Sequence, residues 1–145
     1  MAEYHVQIAR DWLGTPYVHQ ASAKGVGCDC LGLIRGVWRE ALGTEPVAAP
    51  AYTADWNECS GDEVLWAAAT RHLEPRAKDF TRCGDVLLFR MRASGVAKHL
   101  GILSQGPHGP QMVHALSGCF VTEIPLTRDW QRRCVAQFSF PTGGN

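Results

Sequence analysis

The chain has 145 residues, of which 46% are hydrophobic and 19% charged, and its fourteen Lys/Arg balance fourteen Asp/Glu for a formal net charge of zero. That size suits one domain able to bury a core, and the composition excludes a disordered chain. Neutral balance without a Lys/Arg cluster argues against direct nucleic-acid binding, and no apolar run approaches the roughly 18 residues of a membrane span.

The N-terminus, Met1-Ala2-Glu3-Tyr4-His5, has neither a basic start nor an apolar stretch, so no secretory signal is expected and the chain reads as made in the cytoplasm. Six cysteines (Cys28, Cys30, Cys59, Cys83, Cys119, Cys134) are then expected as reduced thiols, most of them small buried hydrophobes. Residues 4–13 place Val6, Ala9 and Leu13 at helical spacing beside Trp12, and Gly14-Thr15-Pro16 stops that helix. Residues 17–27 read as a loop of small residues. From Cys30 a second helix is predicted, with Leu31, Ile34, Trp38 and Leu42 on one face, Leu33 and Val37 beside it, Asp29 as N-cap and Gly43 at its end.

Residues 44–59, with Pro46 and Pro50, read as an ordered surface connection. Ser60-Gly61-Asp62-Glu63 is a capping-box pattern that opens a short helix through about His72. After Cys83-Gly84-Asp85 the period changes, and residues 86–91, 99–104, 111–116, 119–124 and 134–140 are five β-like runs separated by Gly, Pro or Ser turns. Helices first and strands later predict an α+β architecture, with helices packed on an antiparallel sheet, as a single domain over 1–145 and a frayed tail from 142 onward.

The chemistry-bearing feature is Gly27-Cys28-Asp29-Cys30-Leu31-Gly32-Leu33. A cysteine in the first turn of a helix feels the positive end of the helix dipole, which is expected to favour the nucleophilic thiolate. A catalytic thiol also needs an imidazole to move its proton and a third polar group to orient that imidazole. His99, at the start of one predicted strand, and His114, within the next, fit those roles, since opposed side chains on adjacent antiparallel strands lie close enough for two rings to hydrogen-bond. The Cys30 backbone N–H is a candidate oxyanion donor. Against this stands the plainer alternative that each residue, taken alone, is core or surface; His5, His19, His72 and His108 have no comparable partner pattern.

Thr15-Pro16-Tyr17, Asp29-Cys30-Leu31-Gly32-Leu33, Cys83-Gly84-Asp85-Val86, Lys98-His99-Leu100-Gly101-Ile102 and Met112-Val113-His114-Ala115 resemble, in order and over nearly the whole chain, the NlpC-type cell-wall peptidases, which are small papain-like cysteine enzymes. More closely, 14–40 and 84–92 resemble the phage-type peptidases encoded with tails and gene transfer agents. The resemblance implies a papain-like fold with a five- to six-stranded antiparallel sheet, Cys30 as nucleophile, His99 as base and His114 as third polar residue. It also implies Tyr17 and Asp29 as substrate- or oxyanion-facing residues. No cofactor or metal is called for. The implied substrate is the peptidoglycan stem peptide, cut at a γ-D-glutamyl–diamino acid bond. The implied partners are tail-tip or hub proteins of a phage-like particle, which would carry the enzyme to the wall for DNA delivery. The sequence departs from the family in having Val18-His19-Gln20-Ala21 where Trp-Gly-Gly is common, Leu31 where serine usually follows the nucleophile, and Cys83 in place of proline before Gly-Asp.

Three other readings compete: a structural tail module with a dispensable site, a zinc site using Cys28, Cys30 and a histidine, and a transferase passing the acyl group to an amine. The Cys-Asp-Cys spacing is too short for the usual zinc pair, which has at least two residues between its cysteines.

Overall fold

The computed structural model describes residues 2–46, 52 and 61–142. In chain order the elements are α1 (Ala2–Arg10), the short ribbon β1 (Ser22–Ala23) and β2 (Gly27–Cys28), α2 (Cys30–Leu42), α3 (Val64–His72), β3 (Glu74–Arg76), β4 (Val86–Arg90), β5 (Ala97–Gly106), β6 (Gly109–His114), β7 (Thr122–Pro125), α4 (Arg128–Arg133) and β8 (Cys134–Ser139). Six strands form one antiparallel sheet in the order β3–β8–β4–β5–β6–β7. This is the α+β arrangement predicted.

The unbroken apolar run of β4 reflects burial on both sheet faces. Val86 and Leu88 join the core made with α1 and α2, while Leu87 and Phe89 join a second cluster with Leu103, Met112, Leu126 and Cys134. In β5 the same alternation sends Leu100 and Ile102 to the helical side and Leu103 to the other. Helix α1 is tied across the molecule to the sheet edge. The Arg10 guanidinium donates to both Glu123 carboxylate oxygens, at 2.9–3.2 Å, and the Ser104 hydroxyl donates to Glu123 at 2.7 Å.

Several expectations change. Helix α1 stops at Arg10, and the next turn tightens through Trp12 N–H to Ala9 and Leu13 N–H to Arg10 bonds, which swings Leu13 out to 43% exposure instead of into the core. In α2 the buried stripe is Cys30, Leu33, Ile34 and Val37, with Leu31, Trp38 and Leu42 at its margin. Glu63 stands directly before α3 without a side-chain cap; its carboxylate instead accepts the Ala97 N–H at 2.9 Å, and Ser60 lies outside the described residues. Most of 44–59 and the tail beyond 142 also lie outside them. The ribbon β1–β2 occupies the predicted loop, and β3 and α4 were not anticipated. Of the five described cysteines, Cys28, Cys30 and Cys134 are buried, Cys83 is half-buried and Cys119 is exposed.

The first turn of α2 rests directly on the segment leading into β1. The Ser22 hydroxyl donates to the Gly32 carbonyl at 2.6 Å, and a Cβ on Gly32 would stand 1.8 Å from the Ala21 carbonyl oxygen. Alanine gains at most about 1 kcal/mol of helix propensity over glycine, whereas overpacking costs about 1–3 kcal/mol, and a contact this short against backbone belongs at the upper end. Gly32→Ala is therefore expected to lower the urea midpoint. An unchanged or raised midpoint would mean that the Ala21 carbonyl moves aside freely.

Candidate active site

Helix α2 begins at Cys30 because Asp29 caps it. Asp29 is extended (φ −102°, ψ −171°), and its Oδ1 accepts the Gly32 N–H at 2.7 Å. Its Oδ2 accepts the Gln20 N–H at 2.7 Å and the Tyr52 O–H at 2.5 Å, with His19 Nδ1 3.8 Å away. Asp29 is 2% exposed. The residue expected to face substrate thus uses both oxygens to fasten the loop after Tyr17 and Tyr52 onto the start of α2. Tyr52 was not anticipated, since a single tyrosine in a proline-bearing connection carries no distinguishing pattern. Gln20, in the stretch that departs from the family's Trp-Gly-Gly, has φ +65°, a conformation glycine adopts readily. Its N–H bond to Asp29 and its Nε2 bond to the Tyr52 carbonyl, at 2.7 Å, hold it there.

Cys30 is 7% exposed, and its thiol donates to the Lys98 carbonyl at 3.8 Å. Burial, reinforced by the Asp29 carboxylate, pushes the thiol up to about 12, while nearby backbone amides of Leu100 and Leu31 pull weakly the other way. This corrects the expectation of a dipole-stabilised thiolate: loss of hydration outweighs the helix N-terminus, and the resting sulfur is a neutral thiol.

His99 and His114 do meet. His99 Nε2 and His114 Nδ1 are 2.8 Å apart, and the rings are nearly perpendicular, at 80°. They are diagonal neighbours, not opposed as expected: His114 pairs with Gly101, and the register leaves His99 two residues along β5. Gly101 provides no side chain beside them, and a Cβ there would lie 2.8 Å from Met112 Sδ and 3.6 Å from His114 Cβ. On the other side of β5, the pairing with β4 shifts between Phe89 and Arg90, next to the Phe89–His99 pair. Both rings are buried, at 5% and 2% exposure. Burial, with His114 as neighbour, pushes His99 down to about 3, and burial pushes His114 down to about 4. Both imidazoles are neutral at pH 7.

The sulfur does not join this pair by a hydrogen bond among the described residues. Cys30 belongs to the helix-side core with Leu100 and Ile102, whereas the rings pack on Phe89 and Trp130. The sulfur reaches the β5 backbone at the residue preceding His99. Tyr17 is half-buried and bridges to Cys28, and its N–H donates to the Cys119 carbonyl at 3.2 Å. Burial and the nearby Cys30 and Asp29 push its hydroxyl up to about 12, so it stays a proton donor. Trp130 against the imidazoles was also unanticipated. Its helix, Arg-Asp-Trp-Gln-Arg-Arg, has one apolar residue and no periodicity, although Thr127 supplies the cap. Among the described residues no three His, Cys, Asp or Glu side chains are grouped to hold a metal, and no helix is long and apolar enough to cross a membrane.

A helix whose first residue is a cysteine, set against an antiparallel sheet carrying two hydrogen-bonded histidines, defines a papain-like α+β domain. The model of the NlpC/P60 family matches residues 14–138, and the chain belongs to that family. The fold is similar to the NlpC/P60 domain of the peptidoglycan hydrolase SagA (TM-score 0.64, 19% identity, 97% of this chain and 99% of that one). It is also similar to an NLP/P60 lipoprotein-like protein of Staphylococcus aureus (0.60, 19%, 99% and 42%) and to an NlpC/P60 protein of Bacillus cereus (0.63, 17%, 97% and 40%). The chain thus spans about two fifths of the length of the latter two. No curated protein matches the sequence.

Proposed function

We propose that the protein is a cysteine peptidase that hydrolyses an amide in peptidoglycan stem peptides, at the γ-D-glutamyl–diamino acid bond. The observation that carries the reading is the His99–His114 hydrogen bond, with the Cys30 thiol, from the start of α2, reaching the β5 backbone at Lys98, the residue before His99. Family membership and the likeness to the SagA domain support the substrate class.

The pair starts neutral, so thiol deprotonation accompanies attack. With the shared proton on His99 Nε2 and accepted by His114 Nδ1, His99 Nδ1 carries the lone pair that takes the thiol proton once Cys30 Sγ turns from the Lys98 carbonyl. Sulfur bonds to the substrate carbonyl carbon, and the Cys30 N–H and Tyr17 hydroxyl stabilise the oxyanion. His99 gives its proton to the leaving amine as the C–N bond breaks. Water then attacks the thioester, its proton passes to His99, the acid product leaves, and the thiolate regains that proton. Delivery on a phage-like tail, with tail-tip proteins as partners after synthesis in the cytoplasm, is part of the proposal and draws on the sequence resemblance of 14–40 and 84–92.

Purified muropeptides incubated with wild type and Cys30→Ala, with products read by mass spectrometry, test the reading. Wild type is expected to release stem fragments and Cys30→Ala none. Equal cleavage by both, or none by wild type, would overturn it.

A further inference from the structure

Two buried imidazoles sharing one hydrogen bond are surrounded almost entirely by uncharged groups. From β4, Phe89 stacks on His99 with centroids 5.8 Å apart. From α4, Trp130 lies 5.6 Å from the His99 ring at a shallow 35° and 5.4 Å from the His114 ring at 83°, and contacts Phe89 at 5.1 Å. One indole therefore touches both members of the pair and the aromatic ring on its far side. From β7, Thr122 pairs with His114 and brings no charge. From α2, the Cys30 thiol stops at the Lys98 carbonyl. On Trp130 itself, the Arg133 guanidinium lies over the indole, 5.6 Å from its centroid.

We propose that Trp130 is a positioning residue for the imidazole pair, covering both rings so that water cannot compete for the His99–His114 hydrogen bond and the pair keeps a single tautomer. Indole is suited to this: it is wide enough to reach both rings, and an edge-and-face arrangement of aromatic groups fixes ring orientation as well as excluding solvent. Water admitted to the pair would stabilise the charged imidazolium and let His99 turn away from the sulfur. The proposal rests on His99 acting as the base, but the arrangement itself is measurable without any substrate.

The test is long-range proton–nitrogen NMR of histidine-labelled full chain between pH 8 and 5, on wild type, Trp130→Ala and Trp130→Phe. In wild type neither of the paired imidazoles is expected to protonate in that window. In Trp130→Ala at least one should titrate inside it, a rise of one pH unit or more in midpoint, while Trp130→Phe, which keeps an aromatic cover, should behave as wild type. The acid limb of kcat/KM for stem-peptide cleavage should move up with it. A folded Trp130→Ala whose histidine signals titrate as in wild type overturns the proposal. If that variant does not fold, Trp130→Leu, which keeps apolar mass but cannot span both rings, is expected to show the same upward shift, and its absence is equally decisive. Wild type that holds its imidazoles neutral yet cleaves nothing would sink the peptidase reading and leave this one standing.

Discussion

His99→Gln is expected to lower kcat for stem-peptide cleavage by about a thousandfold, because a positioned general base contributes on the order of 10²–10⁴ and glutamine cannot take the thiol proton. His114→Ala should lose less, about a hundredfold. It leaves the base in place but removes the acceptor 2.8 Å from His99 Nε2, so the ring and its tautomer are no longer fixed, and small misplacements of a reacting group carry penalties of that size. Initial rates on purified muropeptides, compared at equal folded concentration, check both. A His99→Gln enzyme within tenfold of wild type would exclude His99 as the base, and a His114→Ala defect equal to that of His99→Gln would mean the two rings share the proton-transfer role.

Acidification should destabilise the fold well before the carboxylates titrate. His99 and His114 are held down to about 3 and about 4 by burial, against an ordinary value of 6.5. Their neutral forms are favoured in the folded state, so their contribution is fully present above pH 6.5. It is lost as pH falls below that value, where the unfolded chain takes up protons the folded chain refuses. Each group loses about 1.4 kcal/mol per pH unit, so by pH 5 the two together remove about 4 kcal/mol. Against a total of about 5–15 kcal/mol for a typical domain, that is a large fraction. His5, also held down by burial, acts in the same direction. Glu45 and Glu123, paired with arginines and held low, contribute their losses only at more acidic pH. Thermal unfolding at pH 7 and pH 5 should show a marked fall in Tm, and the dependence should shrink in His114→Gln. A Tm that stays level across that interval would mean the imidazoles are wetter than their 5% and 2% exposures imply.

What could be read from residues alone was what local pattern encodes. The Asp29 cap, the start of α2 at Cys30 and the five longer strands follow from side-chain period and turn residues, and their positions hold to within a few residues. What could not be read depends on distant packing. Strand β3 has three residues, one of them proline, and exists because Glu74, Pro75 and Arg76 find β8 sixty residues later. Trp130 and Tyr52 approach the site from segments without periodicity. The ionisation of Cys30 differs from the sequence expectation for the same reason: helix position is local and legible, whereas desolvation depends on Tyr52 and the helix-side core closing around the sulfur. The diagonal relation of His99 to His114 needed the strand register, which the turn at Pro107-His108 fixes by closing Gly106 on Gly109.

That turn has a consequence for how the molecule can vary. Pairing runs without a break from Gly106–Gly109 back to Gly101–His114, so the short loop works as a ruler for the distance between the imidazoles. A slip by a single position would turn His114 to the opposite side of the sheet and put Val113 or Ala115 in its place. Length changes at this outward-facing tip are thus tolerable only where the added chain bulges out beyond Gly106 and Gly109, and a graft that respects this rule can alter the outer surface while leaving the proton-handling pair untouched.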